Sequence, residues 1–185
     1  MNPITALANA RLDAFEREWN YDVSYMRTIF ASGLGAMRVL LGIGRISKYR
    51  KGVTPALWFA AELVAARAED CGPCVQLVVD MAARAGVPAA TLRAIVAHDD
   101  DALPDDVRLA VRFTEATLAH AHEADALRDE IVARWGNDAV VSLAFAILSG
   151  RAYPTLKYAL GYAKACVRVN IAGEPVAVPA LAHAH

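Results

Sequence analysis

Residues 68–87 read AEDCGPCVQLVVDMAARAGV. Gly72 and Pro73 separate Cys71 from Cys74, and behind them Val78 and Met81 follow Cys74 at helical spacing. Proline is tolerated in the first turn of a helix, where its missing N–H would have no partner in any case. The stretch therefore predicts a helix that opens at the cysteine pair and stops at Gly86.

The segment before the pair, PALWFAAELVAARAED, puts Leu57, Ala60, Ala61, Val64 and Ala65 on one helical face. A helix, not a β-strand, thus leads into the pair, which separates the chain from thioredoxin despite the shared Gly-Pro between the cysteines. Helix punctuation recurs in both directions. Asn2-Pro3, Thr54-Pro55 and Leu103-Pro104-Asp105-Asp106 open helices, and Gly136 closes one. Val107, Ala110, Val111, Thr114 and Leu118 form one apolar face, Leu127, Ile131 and Trp135 another, and Leu92, Ile95 and Val96 a shorter one. Residues 139–149, AVVSLAFAILS, are apolar all round and predict a central helix covered on every side. A last helix is expected from Pro154 through Cys166. Prolines 175 and 179 bar its continuation, so residues 171–185 are expected to form an extended arm. Residues 32–44, with four glycines, are a helix of uncertain bounds. Strand signals are almost absent, and the expected fold is a single all-α domain over residues 1–185.

With 185 residues the chain can build one sizeable core, and 56% hydrophobic against 21% charged residues excludes intrinsic disorder. So apolar a composition also predicts burial between subunits, hence a homo-oligomer. Nineteen basic and twenty acidic residues leave a net charge of −1, which argues against a nucleic-acid partner. The basic run Arg45, Lys48, Arg50 and Lys51 reads as a solvated helix end, the alternative being a contact for an acidic ligand. The longest apolar runs, 139–149 and 54–66, fall short of the roughly 20 residues of a membrane span, and the second contains Glu62. With no secretory signal visible and three cysteines, a reducing, cytoplasmic setting is expected, where a disulfide is more often catalytic than structural.

At a helix start, unpaired N–H groups and the positive end of the helix dipole stabilise a thiolate, and a second thiol one turn away can close a disulfide on an intermediate formed at the first. Zinc is disfavoured because Cys166 has no cysteine or histidine at pair spacing, and covalent haem because Val75 follows Cys74. The competing reading is a pair of small buried hydrophobes.

The order of parts is helix, Cys-x-x-Cys at the next helix start, AARAGV, the PAATLRAIV helix and the LPDDVRLAVRFTEATL helix. It resembles the AhpD-like, carboxymuconolactone decarboxylase superfamily over about residues 54–120. The resemblance implies an oligomeric bundle of antiparallel helices without a cofactor. It also implies reduction of peroxides, or electron relay with a lipoyl-type or thioredoxin-like dithiol donor, carried by the dithiol. Cys74 would then become the sulfenic acid and Cys71 the proton donor and resolving thiol. A thioredoxin-like argument would instead make Cys71, as the more exposed sulfur, the attacker. The family's Glu and His positions are Phe59 and Val78 here. Glu62, one turn beyond Phe59, is the best substitute base, the alternative being a carboxylate neutralised by Arg67 or Arg84 at a subunit contact. Val78 and Met81 form an apolar wall beside Cys74 that supplies no base, which predicts a slow peroxidase or a dithiol relay.

Tyr153, Tyr158 and Tyr162 with Arg151 and Lys157 read as ordinary packing, the alternative being a phenol-lined pocket near the dithiol. His98, His120, His122, His183 and His185 gain no metal assignment, and Cys166 reads as a buried helix cysteine. Two functions outside redox chemistry stay open: a non-enzymatic helical assembly or binding protein, and a cysteine-independent lactone decarboxylase-type enzyme.

Overall fold

The computed structural model describes residues 3–163 and 168–179. Among them are nine α-helices: α1 (Pro3–Trp19), α2 (Ser24–Ala31), α3 (Leu34–Ile46), α4 (Pro55–Ala68), α5 (Gly72–Arg84), α6 (Ala89–Ala97), α7 (Asp105–Leu118), α8 (Glu123–Trp135) and α9 (Asn137–Ala159). A short 3-10 turn at Asp100–Ala102 joins α6 to α7, and the strands β1 (Arg168–Ile171) and β2 (Glu174–Ala177) complete the fold.

The helix starts follow the sequence. The Thr54 side chain accepts the Leu57 N–H at the head of α4, with Pro55 in the first turn. Gly86 and Gly136 have φ of +86° and +81°, which glycine adopts without a side-chain clash. At the centre is α4, not residues 139–149. Every residue from Leu57 to Arg67 is buried, so α4 needs no polar face. Its four buried alanines at 60, 61, 65 and 66 let neighbours approach, and α9, α7 and α5 pack around it. Within 139–149, by contrast, Val141 and Leu148 are exposed.

Two expectations for the C-terminal third are corrected. The helix expected from Pro154 through Cys166 is instead the last six residues of α9, which runs through that proline without a break and ends at Ala159. Proline lacks one helical hydrogen bond, but Pro154 is buried and α9 lies along α4, so packing carries the helix across it. At 23 residues α9 is long and apolar enough, by length and composition, to cross a membrane, which the shorter run 139–149 was not. The expected extended arm from 171 begins instead inside an antiparallel hairpin, which also qualifies the all-α reading. Val169 and Ile171 point inward between exposed Arg168 and Asn170, and Ala172 and Gly173 have the positive φ values of 53° and 87° that a tight two-residue turn requires. Pro175 bars a helix but not an edge strand. The Gln76 amide clasps the Asn170 backbone, accepting its N–H at 2.7 Å and donating to its carbonyl at 3.0 Å, and so docks the hairpin on α5. Cys166, His183 and His185 lie outside the described residues.

Two apolar clusters result. One gathers α4–α9 and the hairpin, and the other gathers Leu12, Tyr21, Val23, Tyr25, Phe30, Met37 and Leu40 from α1–α3 and the turn between α1 and α2. Leu77 of α5 and Tyr153 and Leu156 of α9 pack against the second cluster. The cysteine pair sits at this seam.

Candidate functional site

The α4–α5 hairpin closes through Asp70, whose φ of +49° reverses the chain. Cys71 follows in extended conformation as the cap of α5, and its carbonyl accepts the N–H groups of Cys74 and Val75 at 2.9 and 3.0 Å. Cys71 and Cys74 are joined as a disulfide, their Cα atoms 5.3 Å apart. Pro73 leaves the first turn one donor short, yet the aligned peptide dipoles of α5 still direct their positive end at the pair. Both sulfurs are buried. Cys71 is 0% and Cys74 4% exposed, the reverse of the order that would make Cys71 the outer sulfur.

The apolar wall expected around Cys74 is incomplete. The Tyr21 hydroxyl, delivered from the turn between α1 and α2, lies 3.5 Å from Cys74 Sγ. The buried ammonium of Lys157 on α9 sits over the Tyr21 ring at 4.0 Å from its centroid and over the Tyr25 ring at 5.2 Å. Tyr21 and Tyr25 meet edge to face, and among the described residues no hydrogen bond of good geometry reaches the Tyr25 hydroxyl. Burial pushes the Tyr21 phenol up to about 12, and that of Tyr25 higher still. Tyr21 therefore keeps its proton throughout the range in which a thiol ionises, and toward a thiolate it acts only as a donor.

Glu62 is buried in α4, where Oε2 accepts the Trp58 indole N–H at 3.1 Å and Oε1 the Ser149 hydroxyl at 2.7 Å. Within the chain, Arg67 and Arg84 are engaged elsewhere. Arg67 donates to the Ile95 carbonyl at 2.7 Å, and Arg84 pairs with Glu18 and stacks on Trp19. The cation whose field reaches Glu62 is Arg50, held over the rings of Trp58 and Phe59. Glu62 thus bonds Trp58 and Ser149 and not the sulfurs, and its charge adds to the burial that raises the Tyr153 phenol.

Burial raises the Glu62 pKa against the opposing hydrogen bonds of Ser149 and Trp58 and the field of Arg50. For an acid with a raised folded pKa, the unfolded chain releases its proton first. Stability is then full below the ordinary carboxylate range and falls as pH climbs through the raised folded value. Glu62→Gln keeps the shape and both partners without titrating. In urea unfolding at a series of pH values, the wild type is expected to lose stability relative to this variant from acid to neutral pH. A pH-independent difference would show that Glu62 ionises as freely folded as unfolded.

The tyrosine-rich end of α9 divides. Tyr153 and Lys157 join the phenol cluster, whereas Tyr158 donates to the Asp70 carbonyl at 2.8 Å, Tyr162 bonds Thr28 at 2.7 Å and Arg151 pairs with Glu69 at 2.6 Å. Phe59 and Val78 are both buried. His98 contacts Glu115 at 2.6 Å, and among the described residues no group of three or more His, Cys, Asp or Glu side chains is placed to hold a metal. Tyr21 and Tyr25 had no sequence signal, since the spacing W-N-Y-D-V-S-Y names no chemistry until α1 and α2 pack on α5.

No protein-family model, no curated protein and no solved structure matches the chain.

Proposed function

We propose that the chain is a thiol–disulfide oxidoreductase of the AhpD-like kind, cycling Cys71 and Cys74 between dithiol and disulfide. The observation that carries this is the pair at disulfide distance where α5 begins, with a phenol donor on Cys74 and a buried cation behind that phenol. A cation over the ring polarises the Tyr21 O–H and strengthens its donation to a thiolate.

The Cys74 thiolate attacks a hydroperoxide oxygen. A sulfur–oxygen bond forms, the O–O bond breaks, and the sulfur, oxidised by two electrons, becomes a sulfenic acid. The departing alkoxide takes the Tyr21 proton and leaves as alcohol, and Tyr21 regains a proton when the external dithiol delivers its two. Cys71 then attacks the Cys74 sulfur, closing the disulfide and releasing water. An external dithiol of lipoyl or thioredoxin type restores the pair, becoming a disulfide itself as two electrons and two protons pass to the protein. The same exchange without peroxide is a dithiol relay.

Stopped-flow mixing of the reduced protein with an alkyl hydroperoxide, and separately with oxidised lipoamide, tests this. Saturable oxidation of one dithiol per chain by either reagent is expected. Rates no greater than those of a free dithiol of the same thiol pKa would leave the disulfide a structural staple.

A further inference from the structure

Residues 23–61 contain six basic side chains and not one Asp or Glu. This acid-free stretch spans α2, α3 and the following loop, and its cations part ways. Arg27 pairs with Asp13 and Glu16, Arg50 stacks on Trp58 and Phe59, and Lys51 stacks on Tyr49. Arg45 and Lys48 instead line a cavity of about 420 Å³ together with Arg11 of α1 and Tyr153 of α9. None of these three cations has a carboxylate within ion-pair distance among the described residues.

The cavity continues into a second one of about 330 Å³ between α1, α2 and α3, and the two share Arg11, Leu12, Met26, Phe30 and Leu41. Eight of the nine residues lining this second part are apolar, Arg11 being the exception. Each part falls within or near the range of roughly 300–1,000 Å³ of small-molecule sites. Such a groove, hydrocarbon along one half and unpaired positive charge along the other, matches one kind of ligand.

We infer that this groove binds a single-chain amphipathic anion, its aliphatic chain between α1, α2 and α3 and its carboxylate or phosphate head at Arg11, Arg45 and Lys48. Apolar burial drives the chain in, and charge-assisted hydrogen bonds fix the head. The exposed Leu7 and Leu41, at 60% and 55%, form the rim through which a chain can enter. The site holds whether or not the dithiol turns over.

Isothermal titration calorimetry of the full chain with dodecanoate, dodecyl phosphate and dodecan-1-ol tests the assignment. Both anions are expected to bind saturably, one per chain, and more tightly than the alcohol. The Arg45→Glu/Lys48→Glu double variant should bind the anions at least about tenfold more weakly, the size of one lost charge-assisted contact, and the alcohol unchanged. Ala8→Trp, which fills the apolar half, should weaken all three, with circular dichroism confirming the fold of each variant. Absence of saturable binding to the wild type, or anion affinity unmoved by the charge reversals, would overturn the inference. So would sedimentation showing a dimer that takes up dodecanoate only after Leu41→Asp separates it, because the groove would then be covered by a second copy of the chain.

Discussion

In Cys74→Ser, oxidation of the reduced protein by hydroperoxide is expected to fall by at least about 10³-fold, because deletion of a nucleophile removes the step through which all other groups act. Cys71→Ser should instead undergo the first oxidation and stop, leaving a sulfenic acid on Cys74 that dimedone traps and mass spectrometry locates. The asymmetry follows from Tyr21, whose hydroxyl contacts the Cys74 sulfur and whose ring lies beneath the Lys157 ammonium. Tyr21→Phe keeps the ring and the cation above it but removes the donor. One hydrogen bond to a charged acceptor contributes about 1.5–3 kcal/mol, so the Cys74 thiol pKa should rise by about one unit, read from the pH dependence of alkylation. Oxidation at neutral pH should slow about tenfold or more. Trapping of the sulfenic acid on Cys71 in the Cys74→Ser protein, with the Cys71→Ser protein inert, would reverse the roles. An unchanged thiol pKa in Tyr21→Phe would remove the phenol from the mechanism.

The helical framework was legible because its signals are local. Thr54-Pro55 caps α4 through a side chain three residues from its donor, and Gly86 and Gly136 stop helices by their own backbone freedom. Two misreadings share a cause. At Pro154 a local rule was overridden by burial along α4, and at 168–177 Pro175, which excludes a helix, obscured the alternation of Val169 and Ile171. The cysteine pair was legible by spacing, since three residues across a helix start bring the two Cα atoms to 5.3 Å. Its surroundings were not. Tyr21 lies 53 positions from Cys74, and Lys157 reaches the same phenol from the other end of the chain. No pattern within a segment encodes such a meeting. Glu62 was found from its helical position, but its contacts with Trp58 and Ser149 depend on how closely α4 and α9 cross.

That crossing can be tested directly. Gly150 lies where α9 meets α4, and a Cβ there would run into the Glu62 carbonyl, come within 2.8 Å of the Ala65 Cβ and within 3.1 Å of the Ala66 N. Two of these three are backbone atoms of the most buried helix, which cannot turn aside as a side chain can. Overpacking of this kind costs about 3 kcal/mol, while the gain in helix propensity from glycine to alanine is about 1 kcal/mol. Gly150→Ala is therefore expected to lower the unfolding free energy by about 2 kcal/mol or more in urea. Because Ser149 is the neighbouring residue and a partner of Glu62, the same variant should also disturb the tryptophan fluorescence of Trp58 in the folded state. Gly35 in α3 provides the opposite case, since a Cβ at that position would have nothing within 4 Å among the described residues. There the clash vanishes and only the propensity gain remains, so Gly35→Ala should stabilise the chain by about 0.5–1 kcal/mol. Equal effects of the two substitutions would mean that α4 and α9 do not cross at Gly150, and the hydrogen bond from Ser149 to Glu62 would lose its structural basis.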